Sequence, residues 1–253
     1  MAGIQLEASC KLCGFQGKKA SMTKHLQKCS SEHPSSAKAK TRAVYHLRAE
    51  NTPYWIDLEL AADARFDDLD GALRGIWLEC CGHMSSFELK AKSLRIENDD
   101  EMDGWNGVRT VRMTQKLDKW LEKGDVLEYK YDFGSTTTLK LKVIEQREAP
   151  LDTKTKVRLL ARNLPPTFSC EVCSGAATQT CGECYLDLER GWRPQYFCEA
   201  HAEEHVQKAH MGDNYSMYTV WNSPRDGVCG YEGSEADEKP YLHSIAVINQ
   251  ILR

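Results

Sequence analysis

Alternation of apolar and polar residues predicts strands in the middle of the chain. Between Tyr54 and Leu60, apolar Ile56, Leu58 and Leu60 alternate with Trp55, Asp57 and Glu59. A period of two residues is the pattern of a strand with two different faces. Val44 to Arg48 and Ser86 to Ile96 are strand-like in the same way. These segments predict a sheet in which much of the central region takes part.

A second alternating stretch predicts a hairpin. Its first strand places four apolar or aromatic residues on one face: Leu127, Tyr129, Tyr131 and Phe133. After a turn at Gly134 the same period returns at Leu139, Leu141 and Val143. Two such strands joined by a short turn indicate a hairpin with one buried face.

Helical spacing occurs between these strands. The apolar residues that recur at intervals of three and four are Phe66, Leu69, Leu73, Ile76 and Trp77. This spacing predicts a helix, and Gly82 is placed to end it. A second, short helix is predicted from about Gln115 to Glu122. Helices and strands together predict an α+β domain.

The YDFG segment at 131–134, within GDVLEYKYDFGSTTTLKLKV, is the most specific part of a family resemblance. Together with the YWIDLEL strand and the FDDLDGALRGIW helix, it resembles the plasmid pRiA4b ORF-3-like family, some of whose members are passenger proteins of insertion elements. The resemblance covers about residues 42–160 and implies an α+β fold. Many members carry an Asp after the Gly, where this chain has Ser135. The family has no established biochemical role, so the resemblance implies no activity.

The remaining segments differ from this domain in composition. Residues 31–41 contain Ser, Ala, Lys and Pro with almost nothing to bury, which is typical of a flexible linker. We therefore predict four parts: a zinc finger at 1–30, the linker at 31–41, the α+β domain at 42–164, and a zinc-binding region at 165–253. The last part includes an acidic loop and an apolar tail that we expect to pack on the body.

Metal-ligating residues at the N-terminus have the spacing of a small zinc finger. The candidate ligands are Cys10, Cys13, His25 and Cys29. A CxxC pair presents two thiolates, and a helix then presents His and Cys four residues apart on one face. The segment is poor in apolar residues, and so small a module needs a staple to fold. Free cysteines in an ordinary turn are the alternative.

A longer group of ligands at 170–210 suggests a cross-brace, or treble-clef-like, zinc module. In a cross-brace the first ligand pair shares a metal ion with the third, and the second pair shares one with the fourth. The first ion would be held by Cys170, Cys173, Cys198 and His201. The second would be held by Cys181, Cys184, His205 and His210. The spacing is similar to B-box and MYND-type fingers, which are mostly protein-interaction modules.

One alternative to the cross-brace stays open at this stage. Cys170, Cys173, Cys181 and Cys184 could form a single four-Cys ribbon, with the later histidines as polar residues on a helix. The number of bound zinc ions is therefore two or three. Four full ligands leave no position for water, which favours structural sites over a catalytic one.

Three further cysteines fall outside both groups. Cys80 and Cys81 precede His83, but nothing indicates a lowered pKa or a third orienting group, so core cysteines at a helix end are the simpler interpretation. Cys229 lies between glycines in an acidic loop. It could be an alternative ligand or a contact with a partner, and a plain turn cysteine is the simpler interpretation.

Charge is distributed unevenly and suggests a partner. Residues 1–48 hold nine Lys/Arg and two Asp/Glu, a net charge of +7, whereas the rest of the chain holds 24 and 35, a net charge of −11. A basic N-terminus suits an anionic partner, although a solvated arm has the same composition. Candidate anion contacts are Lys18, Lys19, Lys24 and Lys28. One finger reads only about three base pairs, so sequence-specific DNA binding is not expected.

We therefore expect a zinc-binding, non-enzymatic interaction protein whose basic finger contacts nucleic acid or a protein partner. The alternative is a zinc-dependent hydrolase or nuclease associated with a mobile element. Neither a signal peptide nor a membrane-length apolar run is recognised, and CxxC pairs beside histidines fit a reducing compartment, so we expect a cytoplasmic location. No small-molecule substrate is indicated.

Overall fold

The chain divides into two units in the computed structural model, which describes residues 6–98, 107–185, 194–209, 217–234 and 241–242. The first unit comprises Met1–Ile76, His83–Leu164 and Ser234–Arg253, and the second comprises Trp77–Gly82 and Pro165–Gly233. Both units contain strands and helices, which confirms the predicted α+β class. The four segment boundaries predicted from the sequence stay a prediction.

A large, mainly antiparallel sheet dominates the first unit. In chain order its strands are β1 (Ala8–Cys10), β2 (Gln16–Gly17), β3 (Lys40–Asn51), β4 (Tyr54–Ala61), β5 (Ser85–Leu89), β6 (Leu94–Glu97), β7 (Arg109–Arg112), β8 (Val126–Tyr131), β9 (Thr137–Leu151), β10 (Val157–Asn163) and β14 (Tyr241–Leu242). Their spatial order is β2-β1-β10-β4-β3-β9-β8-β5-β6-β7, and β14 pairs with β10. The long strands β3 and β9 pair along most of their length and form its centre.

Two helices accompany this sheet within the described part of the unit. Helix α1 (Lys19–Glu32) follows β2, and helix α2 (Phe66–Leu73) follows β4. The Asp68 carboxylate accepts the backbone N–H of Arg65 at 2.9 Å, which caps the start of α2. A π-helical turn, Arg74–Leu78, continues α2 and ends the predicted helix before Gly82. A helix is therefore present where one was predicted, but its last turn is π-helical and not α-helical.

The hairpin prediction is confirmed, and one residue of it is placed differently. β8 pairs with β9 in antiparallel register, and Leu127, Tyr129 and Tyr131 are buried on one face. Phe133 does not share that face, because Asp132 has a φ of +64° and turns the chain. The Phe133 side chain consequently keeps 43% of its surface exposed.

Two predicted elements differ from the structure. The strand predicted from Ser86 to Ile96 is in fact the pair β5 and β6, joined by a 3-10 turn at Lys90–Lys92 and a left-handed Ser93 (φ +47°). The sequence does carry a sign of this break: the apolar residues are odd-numbered up to Ala91 and even-numbered at Leu94 and Ile96, so the alternation changes phase at the turn. The short helix predicted near 115–122 is only a 3-10 turn, Leu117–Lys119.

The second unit is smaller and contains a three-stranded sheet. Its strands are β11 (Gln179–Cys181), β12 (Gln195–Phe197) and β13 (Met217–Thr219), in the order β12-β11-β13. Helix α3 (Gly182–Tyr185) follows β11, and helix α4 (Glu199–Ala209) follows β12. The predicted acidic loop is described as far as Ser234, and most of the predicted apolar tail, 243–253, lies outside the described residues.

Candidate metal centres

The N-terminal ligands come together at the junction of a hairpin and a helix. β1 and β2 pair with each other, and α1 follows immediately, which is the ββα order of a zinc finger. Cys10 ends β1, Cys13 lies in the turn, and α1 presents His25 and Cys29 on one face. Their ligand atoms all lie within 4.8 Å of one another. The structure therefore brings the four predicted residues into one group that could hold a metal ion.

Distances within this group fit a tetrahedral ion. Cys10 Sγ lies 3.8 Å from Cys29 Sγ, and Cys13 Sγ lies 3.2 Å from His25 Nε2. Around tetrahedral zinc, with Zn–S of about 2.3 Å and Zn–N of about 2.0 Å, two sulfurs lie about 3.8 Å apart and a sulfur and a nitrogen about 3.5 Å apart. A disulfide would need about 2.05 Å between sulfurs. The donor set and its spacing thus suit a soft divalent cation.

Burial makes these thiols unfavourable as isolated anions. Burial raises the pKa of the Cys10 thiol, and burial together with its cysteine neighbours raises the pKa of the Cys29 thiol well above its ordinary range. A metal ion reverses this preference, because it binds the thiolate and releases the proton. Binding at this centre should consequently be accompanied by proton release and weaken at low pH.

The finger does not depend on a metal ion alone for packing. Its buried residues join sheet residues in one hydrophobic cluster whose members are Ala8, Cys10, Met22, Leu26, Cys29, Trp55, Leu160 and Ala161. β1 also pairs with β10, so the finger hairpin extends the main sheet. The expectation that so small a module needs a staple considered the segment by itself, whereas the structure also packs it on the sheet.

Buried charged side chains hold α1 against the sheet. Arg48 donates to the Lys19 carbonyl and to Thr23 Oγ1, at 3.3 and 3.0 Å. Arg147 donates to Ser30 Oγ at 2.7 Å, and Arg158 donates to the carbonyl of Ser30 at 3.2 Å. These contacts run along the whole helix and fix its orientation on the sheet.

The carboxylates beneath these arginines come from β4. Asp57 accepts from Arg48 and from His46 Nε2 at 2.8 and 2.9 Å, and Glu59 pairs with two further arginines, Arg147 and Arg158. Burial by itself raises the pKa of Asp57, but its partners His46 and Arg48 outweigh burial and hold this pKa below its usual value. Asp57 is therefore an anion at neutral pH, paired with the Arg48 guanidinium.

The four candidate anion-contact lysines are not equivalent. Lys19 forms an ion pair with Glu50 and lies 6.0 Å from the ring centre of Trp55. Lys18 precedes α1, and Lys24 and Lys28 lie one turn apart on its exposed side. Lys28 pairs loosely with Glu32 at 3.4 Å. Of the four, Lys18, Lys24 and Lys28 therefore offer the exposed positive charge.

The first group in the second unit joins the first and third ligand pairs. Cys173 Sγ lies 3.8 Å from Cys198 Sγ, and His201 Nδ1 lies 3.6 Å from Cys170 Sγ and 3.1 Å from Cys198 Sγ. Four ligand atoms within 4.8 Å of one another make this a second group that could hold a metal ion. This is the partition that a cross-brace requires, and a single four-Cys ribbon would have grouped these residues differently.

Backbone N–H groups stabilise the thiolate form of Cys170 in this group. Burial would raise the pKa of Cys170, but backbone N–H groups of Cys198, Cys173 and Val172 outweigh it and lower the pKa to about 6. The Val172 N–H, for example, points at Cys170 Sγ from 3.5 Å. N–H groups aimed at sulfur are the usual surroundings of structural zinc thiolates. They offset the net charge of −1 that three thiolates and one imidazole leave around Zn²⁺.

The second group in this unit has three described ligands. Cys181 ends β11, Cys184 lies in α3 and His205 lies in α4, with their ligand atoms within 4.8 Å of one another. Cys184 Sγ lies 3.3 Å from His205 Nε2, whose ring stacks on Phe197 at 4.2 Å. The fourth predicted ligand, His210, lies outside the described residues.

Three cysteines left over from the sequence also meet. Cys80, Cys81 and Cys229, all in the second unit, bring their sulfurs within 4.8 Å of one another. Cys80 is half-buried and the other two are exposed, so the interpretation of core cysteines is wrong for Cys81. Sequence spacing could not pair residues so far apart. All eleven cysteines lie in the described residues and carry thiols, with no disulfide among them.

Fold and sites together define an α+β protein with several Cys/His groups that could hold metal ions. The sequence profile of the plasmid pRiA4b ORF-3-like protein family matches residues 42–176, more than half of the chain. The chain therefore belongs to this family, as its YDFG segment suggested. The profile does not include the N-terminal finger.

Other comparisons add little. A crystal structure of a protein of unknown function from Methanosarcina mazei Go1 is 17% identical, with 73% of this chain and 96% of that chain covered at a TM-score of 0.39. None of the curated proteins matches the chain. Within the described residues, no helix has both the length and the apolar character that crossing a bilayer requires.

Proposed function

We propose that this chain is a zinc-binding, non-enzymatic interaction protein whose metal ions fix the geometry of its two Cys/His-rich regions. The observation that carries the proposal is the donor set: two groups each collect four sulfur and nitrogen ligands at tetrahedral spacing. Among biological divalent ions, zinc suits such sets best, because thiolate and imidazole are soft or borderline ligands. A closed set of four leaves no coordination position for substrate.

Metal analysis of the full chain tests this proposal. Native mass spectrometry of reduced protein should find zinc, and Cys13→Ser and Cys173→Ser should each remove one ion. Val172→Ser is the matched control, because Val172 is exposed beside a ligand and carries no donor. It should retain the full complement. An ordered protein that binds no zinc would refute the proposal.

For the interaction itself, we propose an anionic partner, with the nucleic-acid backbone as the chemistry that fits best. Lys18, Lys24 and Lys28 are exposed, and α1 carries the last two on the side opposite its buried residues. The start of α1, which a DNA-reading finger inserts into a groove, is held here by Arg48 and Glu50. Contact through phosphates, without base reading, is what this arrangement supports.

Salt-dependent binding of an oligonucleotide tests the partner. Replacing Lys18, Lys24 and Lys28 together by Gln should weaken binding at least tenfold in low salt. The slope of log K against log salt should also become shallower, by about 0.9 for each lost phosphate contact. A control triple variant replaces three other exposed lysines, Lys116, Lys119 and Lys123. Equal affinity of both variants would refute the lysine face and direct the search to a protein partner.

The alternative of a zinc hydrolase or nuclease is tested at the group of Cys181, Cys184 and His205, whose fourth predicted ligand, His210, lies outside the described residues. Catalytic zinc keeps three protein ligands plus water, whereas a structural site has four protein ligands. His210→Ala separates the two cases. Loss of that ion assigns a closed structural site, whereas full zinc content together with metal-dependent phosphodiester hydrolysis would favour the enzyme.

A further inference from the structure

We infer that Cys80, Cys81 and Cys229 form an additional zinc centre, separate from the finger and from the cross-brace. Cys81 Sγ lies 3.7 Å from Cys229 Sγ and 3.8 Å from Cys80 Sγ. These are the separations of thiolates on one tetrahedral zinc ion, about 3.8 Å, and far exceed the roughly 2.05 Å of a disulfide. Residues 148 apart in sequence meet here.

The backbone around Cys229 is shaped to present its thiol. Cys229 has a φ of +52°, a left-handed conformation that few non-glycine residues adopt. Consecutive turns on either side, Arg225 to Val228 and Val228 to Tyr231, are closed by backbone hydrogen bonds of 3.0 and 3.1 Å. A non-glycine residue in this conformation is strained, and such strain is commonly found where a side chain has a function.

Charge near the sulfurs supports thiolate ligands. The guanidinium of Arg225 lies 3.6 Å from Cys80 Sγ, and the Arg225 side chain is fully buried. Three thiolates around Zn²⁺ leave a net charge of −1, which one adjacent guanidinium offsets. Ser223 connects the two segments of the centre, since its hydroxyl donates to the Trp77 carbonyl at 2.6 Å and accepts the Arg225 N–H at 2.8 Å. The cation is thus held in place beside the thiols.

A soft, sulfur-rich donor set selects zinc over magnesium or calcium. All three cysteines lie in the second unit, and they define the centre.

Cadmium-substituted full-length protein provides the test. With ¹¹³Cd in place of zinc, each centre gives its own resonance, and the inference predicts one resonance that disappears in both Cys81→Ser and Cys229→Asn. Asn tolerates a left-handed backbone, so the second variant removes the thiol without adding strain. Met84→Ala is the control, because Met84 is exposed and close in sequence.

The outcomes decide between this inference and its competitors. Zinc mass loss of one ion in each cysteine variant, with the finger and cross-brace resonances unchanged, supports the centre. A Cys81–Cys229 disulfide in zinc-loaded protein, or unchanged zinc content in both cysteine variants, overturns it. Failure of the proposed function would give a different result. The spectrum of the unsubstituted protein would then lack the resonances that Cys13→Ser and Cys173→Ser are expected to remove.

Discussion

Removing the metal ion from the finger should loosen helix α1 without unfolding it. The perturbation is Cys13→Ser, which deletes one exposed ligand and leaves the buried face of α1 intact. An isolated finger has no other means of holding its helix, and its structure is lost with the metal. In this chain the hairpin strand β1 pairs with β10, and the helix packs on Trp55 and Leu160. An isolated finger is therefore expected to lose its helix with the metal ion, whereas the finger of this chain is expected to keep it.

The size of the remaining stabilisation follows from the buried side chains. Met22 and Leu26 have no exposed surface. Burying a side chain of this size contributes about 1.5–3 kcal/mol, so the two together contribute roughly 3–6 kcal/mol. Hydrogen bonds from Arg48 and Arg147 add about 1 kcal/mol each. Together these contributions are roughly 5–8 kcal/mol, and since about 1.4 kcal/mol is a factor of ten, the α1 amides should keep about 10⁴- to 10⁶-fold protection without metal.

Hydrogen exchange of the α1 amides measures this directly. Zinc-loaded protein, Cys13→Ser and Leu26→Ala are compared at one pH and temperature. Cys13→Ser should lower protection only to the range given above. Leu26→Ala with zinc bound should cost about 2–5 kcal/mol locally, by loss of packing and formation of a cavity. Complete loss of α1 protection in Cys13→Ser, with β3 and β9 still protected, would refute the reasoning.

Three further predictions concern buried polar and backbone positions. Burial raises the pKa of Asp226 to about 7; the folded state then binds its proton more tightly than the unfolded state, so this carboxyl lowers stability as pH rises from about 4 to 7. Asp226→Asn should accordingly raise the melting temperature more at pH 8 than at pH 6. Glu59→Gln leaves the buried Arg158 and the half-buried Arg147 poorly compensated, and urea unfolding should show a loss of about 3–5 kcal/mol that the exposed control Glu148→Gln does not show. Gly227→Ala combines a φ of +73° with a Cβ only 2.9 Å from Thr180 Cγ2, and should cost about 1–3 kcal/mol in the same assay.

Local patterns made much of the fold predictable. Strand period, the β8–β9 hairpin and the start of α2 follow from residue spacing within about twenty positions. The ligand sets of the finger and of Cys170, Cys173, Cys198 and His201 were likewise proposed from spacing, since a helix or knuckle fixes the geometry of each pair. What these features share is that neighbouring residues determine them.

The features that were missed depend on distant residues. Alternation in β4 suggests that Asp57 and Glu59 face solvent, yet both are fully buried, because α1 covers that face. The pairing of β1 with β10 joins residues about 150 positions apart, as Ala8 with Asn163. No periodicity within a strand indicates what lies on top of it. The meeting of Cys81 with Cys229 is unpredictable for the same reason.

The buried charges explain why a finger with so few apolar residues can take one fixed position on the sheet. Apolar contact between Met22, Leu26 and Trp55 is non-directional and would allow α1 to slide or rotate. Hydrogen bonds from Arg48 near its start and Arg158 near its end are directional, and a displaced helix would leave these buried groups unpaired. The sheet already fixes the position of α1. The main structural effect of the metal ion is therefore on the shape of the Cys10–Cys13 turn relative to this helix. Metal binding at the finger should consequently tune the surface around that turn, while the fold of the sheet is maintained by its own core.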